Sequence, residues 1–287
     1  MEQDKKKRLY SVLALILLVV GVLILLYPFI TAVYYDYQAS NEVDDFEAHV
    51  KTINEMEIDE RIEKARAYNA SLTTDEVLKD AYSDDEKEAG KALYAQMLEV
   101  KEKIGYVEVP KIHQNLPLYA GTSDVVLYKG VGHLERTSLP VGGESTHAVV
   151  TGHSGLPDKK LFTDLEKMEI DDVFYVHNIK ETLAYQVKSI EVISPHDFNS
   201  IKIEEGKDKF TLLTCTPYMI NTHRLIVTGE RIPYTLELEK DREATLSPWW
   251  VKFMGVYRNY LIGILITILL YLGYRWYRRK SNKQKHV

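Results

Sequence analysis

Leu9–Ile30 is a run of 22 residues without a charge, preceded directly by Lys5, Lys6, Lys7 and Arg8. A helix of that length crosses a hydrocarbon core of about 30 Å. A cleavable leader also begins with basic residues, but this run is long for one and no Ala-x-Ala site follows it. The run therefore reads as an uncleaved membrane anchor. Near the other end, Val256–Tyr274 is mostly apolar, interrupted by Arg258 and Asn259 and bordered by Trp249, Trp250, Tyr257 and Trp276. Aromatic residues of this kind favour membrane interfaces, so a second span is expected there. Arg275, Arg278, Arg279, Lys280, Lys283 and Lys285 follow. Basic flanks stay on the cytoplasmic side, so both termini are expected inside the cell and the middle of the chain outside.

That middle part, residues 31–255, carries 25 Lys and Arg against 40 Asp and Glu, a net charge of −15. An acidic body of this kind is a poor partner for nucleic acid. The single cysteine rules out an internal disulfide. No glycine-rich phosphate loop, zinc-ligand spacing or internal repeat is present, so no metal or organic cofactor is expected.

After the first apolar run the chain reads as polar and helical. Phe46, Val50, Ile53, Ile62 and Ala65 recur at helical spacing. Thr73–Asp85 is a polar stretch. Ser83–Glu86 has the form of a capping box, and Leu93, Met97 and Val100 would line the helix it opens. From Ile104 the pattern changes to short strand-like runs separated by Gly and Pro: Gly105–Pro110, Leu116–Tyr119, Ala148–Thr151, Val173–Val176 and Tyr185–Ile193. About eight such strands suit a closed β-barrel, and a β-sandwich equally well.

The most informative run is Phe210–Gly229. Phe210–Thr214 reads as a strand that Pro217 must end near Cys215, because proline cannot donate to a ladder. Asn221-Thr222 falls in a turn, and Arg224–Thr228 reads as a second strand. Pairing of the two would place a thiol beside a fixed positive charge. A thiol so placed ionises more readily, and the thiolate is the nucleophile. A lone cysteine is also often only a small buried hydrophobe, and that alternative stands until the rest of the chain is read.

The run Thr211-Leu-Leu-Thr-Cys215, with Arg224 nine residues on, resembles the nucleophile segment of sortases, the bacterial cysteine transpeptidases. Cys215–Leu225 is similar to the pilus-building branch, class C. Gly130–Gly143, Thr146–Pro157 and Leu161–Leu165 also resemble class C motifs. The resemblance covers roughly Ile104–Ile232 and implies the barrel, so the expected fold is mainly β: a closed eight-stranded sortase-type barrel, to which the residues outside that range add an N-terminal helical extension and a transmembrane helix at each end. It implies a substrate that is a pilin carrying a C-terminal Leu-Pro-any-Thr-Gly-like sorting signal, with a lysine amine of another pilin as acceptor.

His153 follows an apolar strand and lies between Gly152 and Gly155, so its ring should be reachable at a strand end and able to exchange a proton with an amine. His223 should face away from Arg224 by the pleat. The catalytic candidates are therefore Cys215, His153 and Arg224, the last to hold an oxyanion or orient the peptide. Thr214 and His133, within the same motifs, are candidates for a substrate groove. Class C members carry a lid with an Asp-Pro-aromatic signature ahead of the barrel. Here Asp80-Ala81-Tyr82 keeps the acid and the aromatic but not the proline.

The expected organisation is a basic tail 1–8, a span 9–30, a helical extension with the lid 31–103 and a barrel 104–235. A linker 236–255, a second span 256–274 and a basic tail 275–287 follow. Three other functions remain as alternatives: a wall-anchoring sortase that delivers proteins to peptidoglycan, a cysteine protease, and a non-enzymatic membrane-anchored surface module.

Overall fold

The computed structural model describes residues 2–72, 93–156, 158–245, 258, 262–269 and 271–275. The first element is α1 (Glu2–Val50), 49 residues of unbroken helix. It runs through the expected boundary at residue 30, so the apolar run and the start of the extension are one rod of about 75 Å. Among the described residues one helix is long and apolar enough to cross a membrane, Arg8–Tyr27 within α1. Within the separate unit 243–287, Ile262–Arg275 is apolar and helical but falls short of that length.

The chain turns after Val50 and restarts as α2 (Glu55–Ser71). Asn54 caps it, its side chain accepting from the Met56 amide at 2.8 Å, and Glu55 and Glu57 sit in the first turn where the helix dipole favours acids. Leu93–Met97 is a short 3-10 turn, where the sequence suggested a helix reaching Val100. Val100 instead bridges to Lys103, because Lys101 and Glu102 take left-handed backbone angles that turn the chain into the first strand.

Eight strands follow: β1 (Lys103–Val109), β2 (Gln114–Ala120), β3 (Val131–His133), β4 (Thr146–Thr151), β5 (Val173–His177), β6 (Thr182–Ile193), β7 (Asp208–Thr216) and β8 (His223–Ile232). They close in the order β1-β2-β3-β4-β7-β8-β6-β5, which excludes the sandwich. Two short helices flank them, α3 (Asp124–Lys129) before β3 and α4 (Leu236–Thr245) after β8.

The barrel is filled by rings and branched chains. Phe174, Tyr185 and Phe210 lie with ring centroids 5.3–5.9 Å apart. Gly229 sits opposite Phe210, where a Cβ would come within 2.8 Å of the Phe174 ring, so this register requires glycine. A second cluster of Leu134, Val149, Ile193, Ile201, Leu213 and Ile226 lies on the other face of β7 and its neighbours. Both faces of β7 are thus covered, which is why Leu212 and Leu213 are consecutive rather than alternating with polar residues.

The helical extension packs as part of this body. Val43 and Phe46 of α1 are buried, and the Phe46 ring meets Tyr106 edge-on at 6.2 Å. Lys103 reaches Glu42 at 2.5 Å and Asp45 at 3.3 Å, and the Tyr106 hydroxyl donates to Glu47 at 2.5 Å. From α2, Ile62 and Ala65 enter the core. The buried Asn69 side chain accepts from the Leu139 amide at 2.7 Å and donates to its carbonyl at 3.1 Å. On the same face of β1 as Tyr106, Arg242 of α4 donates to Glu108 at 3.0 Å, and His177 lies 3.4 Å from the same carboxylate oxygen while stacking on Tyr106 at 4.0 Å.

Candidate active site

Three neighbouring strands bring the candidate residues together. β7 and β8 are antiparallel with Cys215 directly opposite Arg224, so both side chains leave the same face of the sheet. β4 runs parallel to β7 with Thr151 beside Leu213. Two hydrogen bonds carry that pairing one residue further. The Gly152 amide donates to the Leu213 carbonyl at 3.1 Å, and the Thr214 hydroxyl donates to the Gly152 carbonyl at 2.7 Å. The next pair in register is His153 and Cys215. His153, Cys215 and Arg224 thus form one row across the end of the barrel.

Local structure explains why each stands there. Gly152 is needed because a Cβ would come within 2.9 Å of the Phe162 ring, which is fully buried beneath it. The His153 carbonyl accepts from the Phe162 amide at 3.2 Å, and the Gly155 amide donates to the Thr163 hydroxyl at 3.3 Å. The segment carrying His153 is therefore folded back onto 162–163. Arg224 is 6 % exposed and donates from Nη1 to the carbonyls of Asn221 and His223, both at 3.0 Å. The carbonyls of its own turn fix the plane of the guanidinium. Cys215 is 7 % exposed and His153 is half-buried. His223 is exposed, on the face away from Arg224.

Beside the row, the β7–β8 turn leaves Tyr218, Met219 and Ile220 exposed. It packs on the His153 segment, since a Cβ at Gly155 would lie 3.3 Å from Tyr218 and 3.5 Å from Met219.

Two expected groove residues lie elsewhere. His133 is fully enclosed, with Nε2 donating to the Ser138 carbonyl at 2.8 Å and Nδ1 meeting the Tyr94 hydroxyl at 2.9 Å. Burial lowers its pKa from 6.5 to about 4, so it is a neutral core residue and lines no groove. Thr214 is also buried and spends its hydroxyl on Gly152, which makes it a strut behind His153 rather than a surface contact. His147 is a third enclosed ring, its pKa lowered to about 4 by burial. It bridges the Lys202 carbonyl at 2.9 Å and the Thr211 hydroxyl at 2.7 Å, and Thr211 continues to Thr228 at 2.7 Å. Asp80 and Tyr82 lie outside the described residues. Sequence reasoning gave Leu161–Leu165 no role. Its Phe162 and Thr163 seat His153, and an aromatic residue shortly after a Gly-His pair was the signal for it.

Residues 107–232 match the sortase domain model. A sortase C-1 structure from Streptococcus pneumoniae is 54% identical over 68% of this chain and 100% of its own, with a TM-score of 0.66. The chain belongs to the sortase family. Its likeness within that family is to class C: a pilus-related sortase C of Group B Streptococcus is 54% identical over 67% of this chain and 97% of its own, with a TM-score of 0.64. Sortase A of Bacillus anthracis is 25% identical over 79% of this chain and 96% of its own length. By family the protein is a sortase transpeptidase, an enzyme of acyl transfer, and the row of residues described above lies within the matched domain.

Proposed function

We propose that this sortase polymerises pilins, with Cys215 as nucleophile, His153 as proton carrier and Arg224 as oxyanion holder. The observation that carries the reading is that Cys215 faces Arg224 across β7 and β8 while His153 follows the end of β4, which pairs with β7 up to Thr151 and Leu213. The Cys215 thiolate attacks the carbonyl of the threonine in a Leu-Pro-any-Thr-Gly-like sorting signal. The C–N bond to glycine breaks, a thioester forms, and His153 gives its proton to the departing amine. A lysine amine of a second pilin then attacks the thioester. It loses its proton to His153, and the thiolate leaves as the isopeptide forms. Arg224, pinned by its own turn, faces the oxygen that becomes negative in each tetrahedral intermediate.

In the same reading α1 anchors the enzyme and Val256–Tyr274 forms a second span, with both termini cytoplasmic and the barrel outside the cell. The same reading assigns the lid to the segment around Asp80 and Tyr82, which lies outside the described residues. The high identity to pilus-related sortases supports the pilin acceptor over a peptidoglycan one.

The test is incubation of the protein with a sorting-signal peptide and candidate pilins, with covalent adducts read by mass spectrometry. A thioester on Cys215 and a peptide–lysine isopeptide are expected, and Cys215→Ala should lose both while keeping its circular dichroism. Products joined to a peptidoglycan stem amine instead of lysine would favour wall anchoring, and hydrolysis unaffected by added amine would favour a protease.

A further inference from the structure

His153 stands at the mouth of a segment that returns on itself. Its carbonyl accepts from the Phe162 amide, and the Gly155 amide donates to the Thr163 hydroxyl, so the two ends of 153–163 are tied together. The chain comes back at Leu161, whose φ of 37° is left-handed and whose side chain is buried. A leucine in that conformation is strained and persists only where its surroundings over-determine it. Across the turn the Thr163 amide donates to the Lys160 carbonyl at 2.6 Å, and the Lys160 ammonium reaches Asp164 at 3.1 Å. Residues 158–160 therefore lead directly into the turn that presents Phe162 to His153.

Those residues are gripped from outside the segment. Lys159 is only 9 % exposed. Its ammonium donates to the Tyr128 carbonyl of α3 and sits over two rings, 3.5 Å from the Tyr128 centroid and 4.2 Å from that of Tyr35 on α1. The Tyr128 hydroxyl donates to the Asp158 carboxylate at 2.9 Å and lies 3.4 Å from the Tyr35 hydroxyl. A lysine is almost never enclosed unless its charge is received, and here a carbonyl and two electron-rich ring faces receive it. α1, α3 and the His153 segment meet at this one ammonium.

The contacts close a circuit. α3 leads through Gly130 into β3, and Gly132 of β3 pairs with Thr151, two residues before His153. The segment is thus fixed at its root by the pairing of β4 and at its tip by the helix that precedes the neighbouring strand.

We propose that Lys159 is a positioning residue for His153: its ammonium clamps the tip of the segment to α3 and α1 and so keeps the imidazole beside Cys215. It acts through the backbone of 160–163 and touches no reacting atom. The inference rests on the reading of His153 as proton carrier and extends it to a residue remote from the chemistry and to the anchor helix.

The test compares full-length Lys159→Met, Lys159→Arg, Tyr35→Ala and His153→Ala in detergent. Methionine keeps the apolar stem without the charge, and arginine restores a cation that stacks on rings. The substrate is a Leu-Pro-any-Thr-Gly peptide with hydroxylamine to resolve the thioester, so turnover reads the step in which the departing amine is protonated. Lys159→Met should lower kcat about tenfold with KM within about twofold of the parent, and Lys159→Arg should recover most of the loss. In a Cys215→Ala background with isotope-labelled histidine, the imidazole signal that His153→Ala removes should broaden in Lys159→Met and stay sharp in Lys159→Arg. Undiminished turnover by His153→Ala would overturn the proton-carrier reading and this inference with it. An inactive His153→Ala beside a Lys159→Met with parental kcat and a sharp signal would overturn the positioning alone. A raised KM at unchanged kcat, or an equal loss in Lys159→Arg, would overturn it too. Should Lys159→Met fail to fold, Tyr35→Ala decides: it removes one ring and keeps the bond to α3, and a parental kcat and sharp signal there would overturn the clamp.

Discussion

Acidification should weaken this fold well before its carboxylates protonate, and the cause is two enclosed imidazoles. His133 is 0 % exposed and His147 is 1 % exposed, and each has its pKa lowered from 6.5 to about 4 by burial. In the unfolded chain each ring binds a proton near pH 6.5, and in the folded chain it does not until near pH 4. The unfolded state therefore holds more protons in that window. The stability that the neutral rings carry is complete above pH 6.5, falls as the pH drops through the window, and is fully lost below about 4. Each ring accounts for a loss of about 2 kcal/mol at pH 5, so the pair accounts for about 4 kcal/mol. His177, lowered by burial against the opposing pull of Glu108, adds in the same direction. Asp208 works the other way, since burial raises its pKa, but it acts closer to the carboxylate range. For a domain of this size the loss corresponds to a drop in Tm of roughly 8–16 °C between pH 7.5 and pH 5. Thermal unfolding of the full chain in detergent, followed by circular dichroism, measures the drop. NMR titration of the imidazole protons measures its source. Either ring titrating near 6.5 in a chain that is still folded would refute the argument, as would a His133→Asn variant with undiminished acid sensitivity.

Other perturbations separate the roles of further residues. Arg224→Lys keeps the charge but cannot reproduce a planar fork held by two carbonyls, so kcat in the peptide-transfer assay should fall at least tenfold with little change in KM; near-native turnover would reduce Arg224 to a distant electrostatic helper. Arg242→Ala leaves the Glu108 carboxylate buried with only His177 nearby and should destabilise by about 3–5 kcal/mol, more than Glu108→Gln, since Arg242 is the more exposed partner; equal losses in urea unfolding would contradict this asymmetry. Asn69→Ala strips both partners from the buried Leu139 backbone and should cost about 2–4 kcal/mol in the same measurement, and a neutral result would mean that water replaces the side chain.

The parts of the site that could be read from sequence were those set by local geometry. Cys215 and Arg224 belong to one hairpin, so a strand end, a turn and a strand start already implied that they face each other, and the register bears this out. His153 was different. Its place beside Cys215 depends on a parallel pairing between strands about sixty residues apart, and only the likeness of its motif pointed there. Strand β3 escaped notice because three residues inside a glycine-rich motif show no period. The boundary expected at residue 30 marked a change of composition and not of structure, since α1 continues as helix through it to Val50. His133 and Thr214 shared motifs with the site but are buried, a distinction that composition does not carry.

In the closed ring, β7 stands four strands from β1 in either direction. The anchor docks on β1 through Tyr106 and Lys103, and α4 docks on the same strand through Glu108. α1 and Arg242 of α4 therefore both contact β1, the strand diametrically across the ring from the one that bears the thiol. A substitution at either of these helix contacts with β1 therefore acts first on a strand that is four places from β7 around the ring.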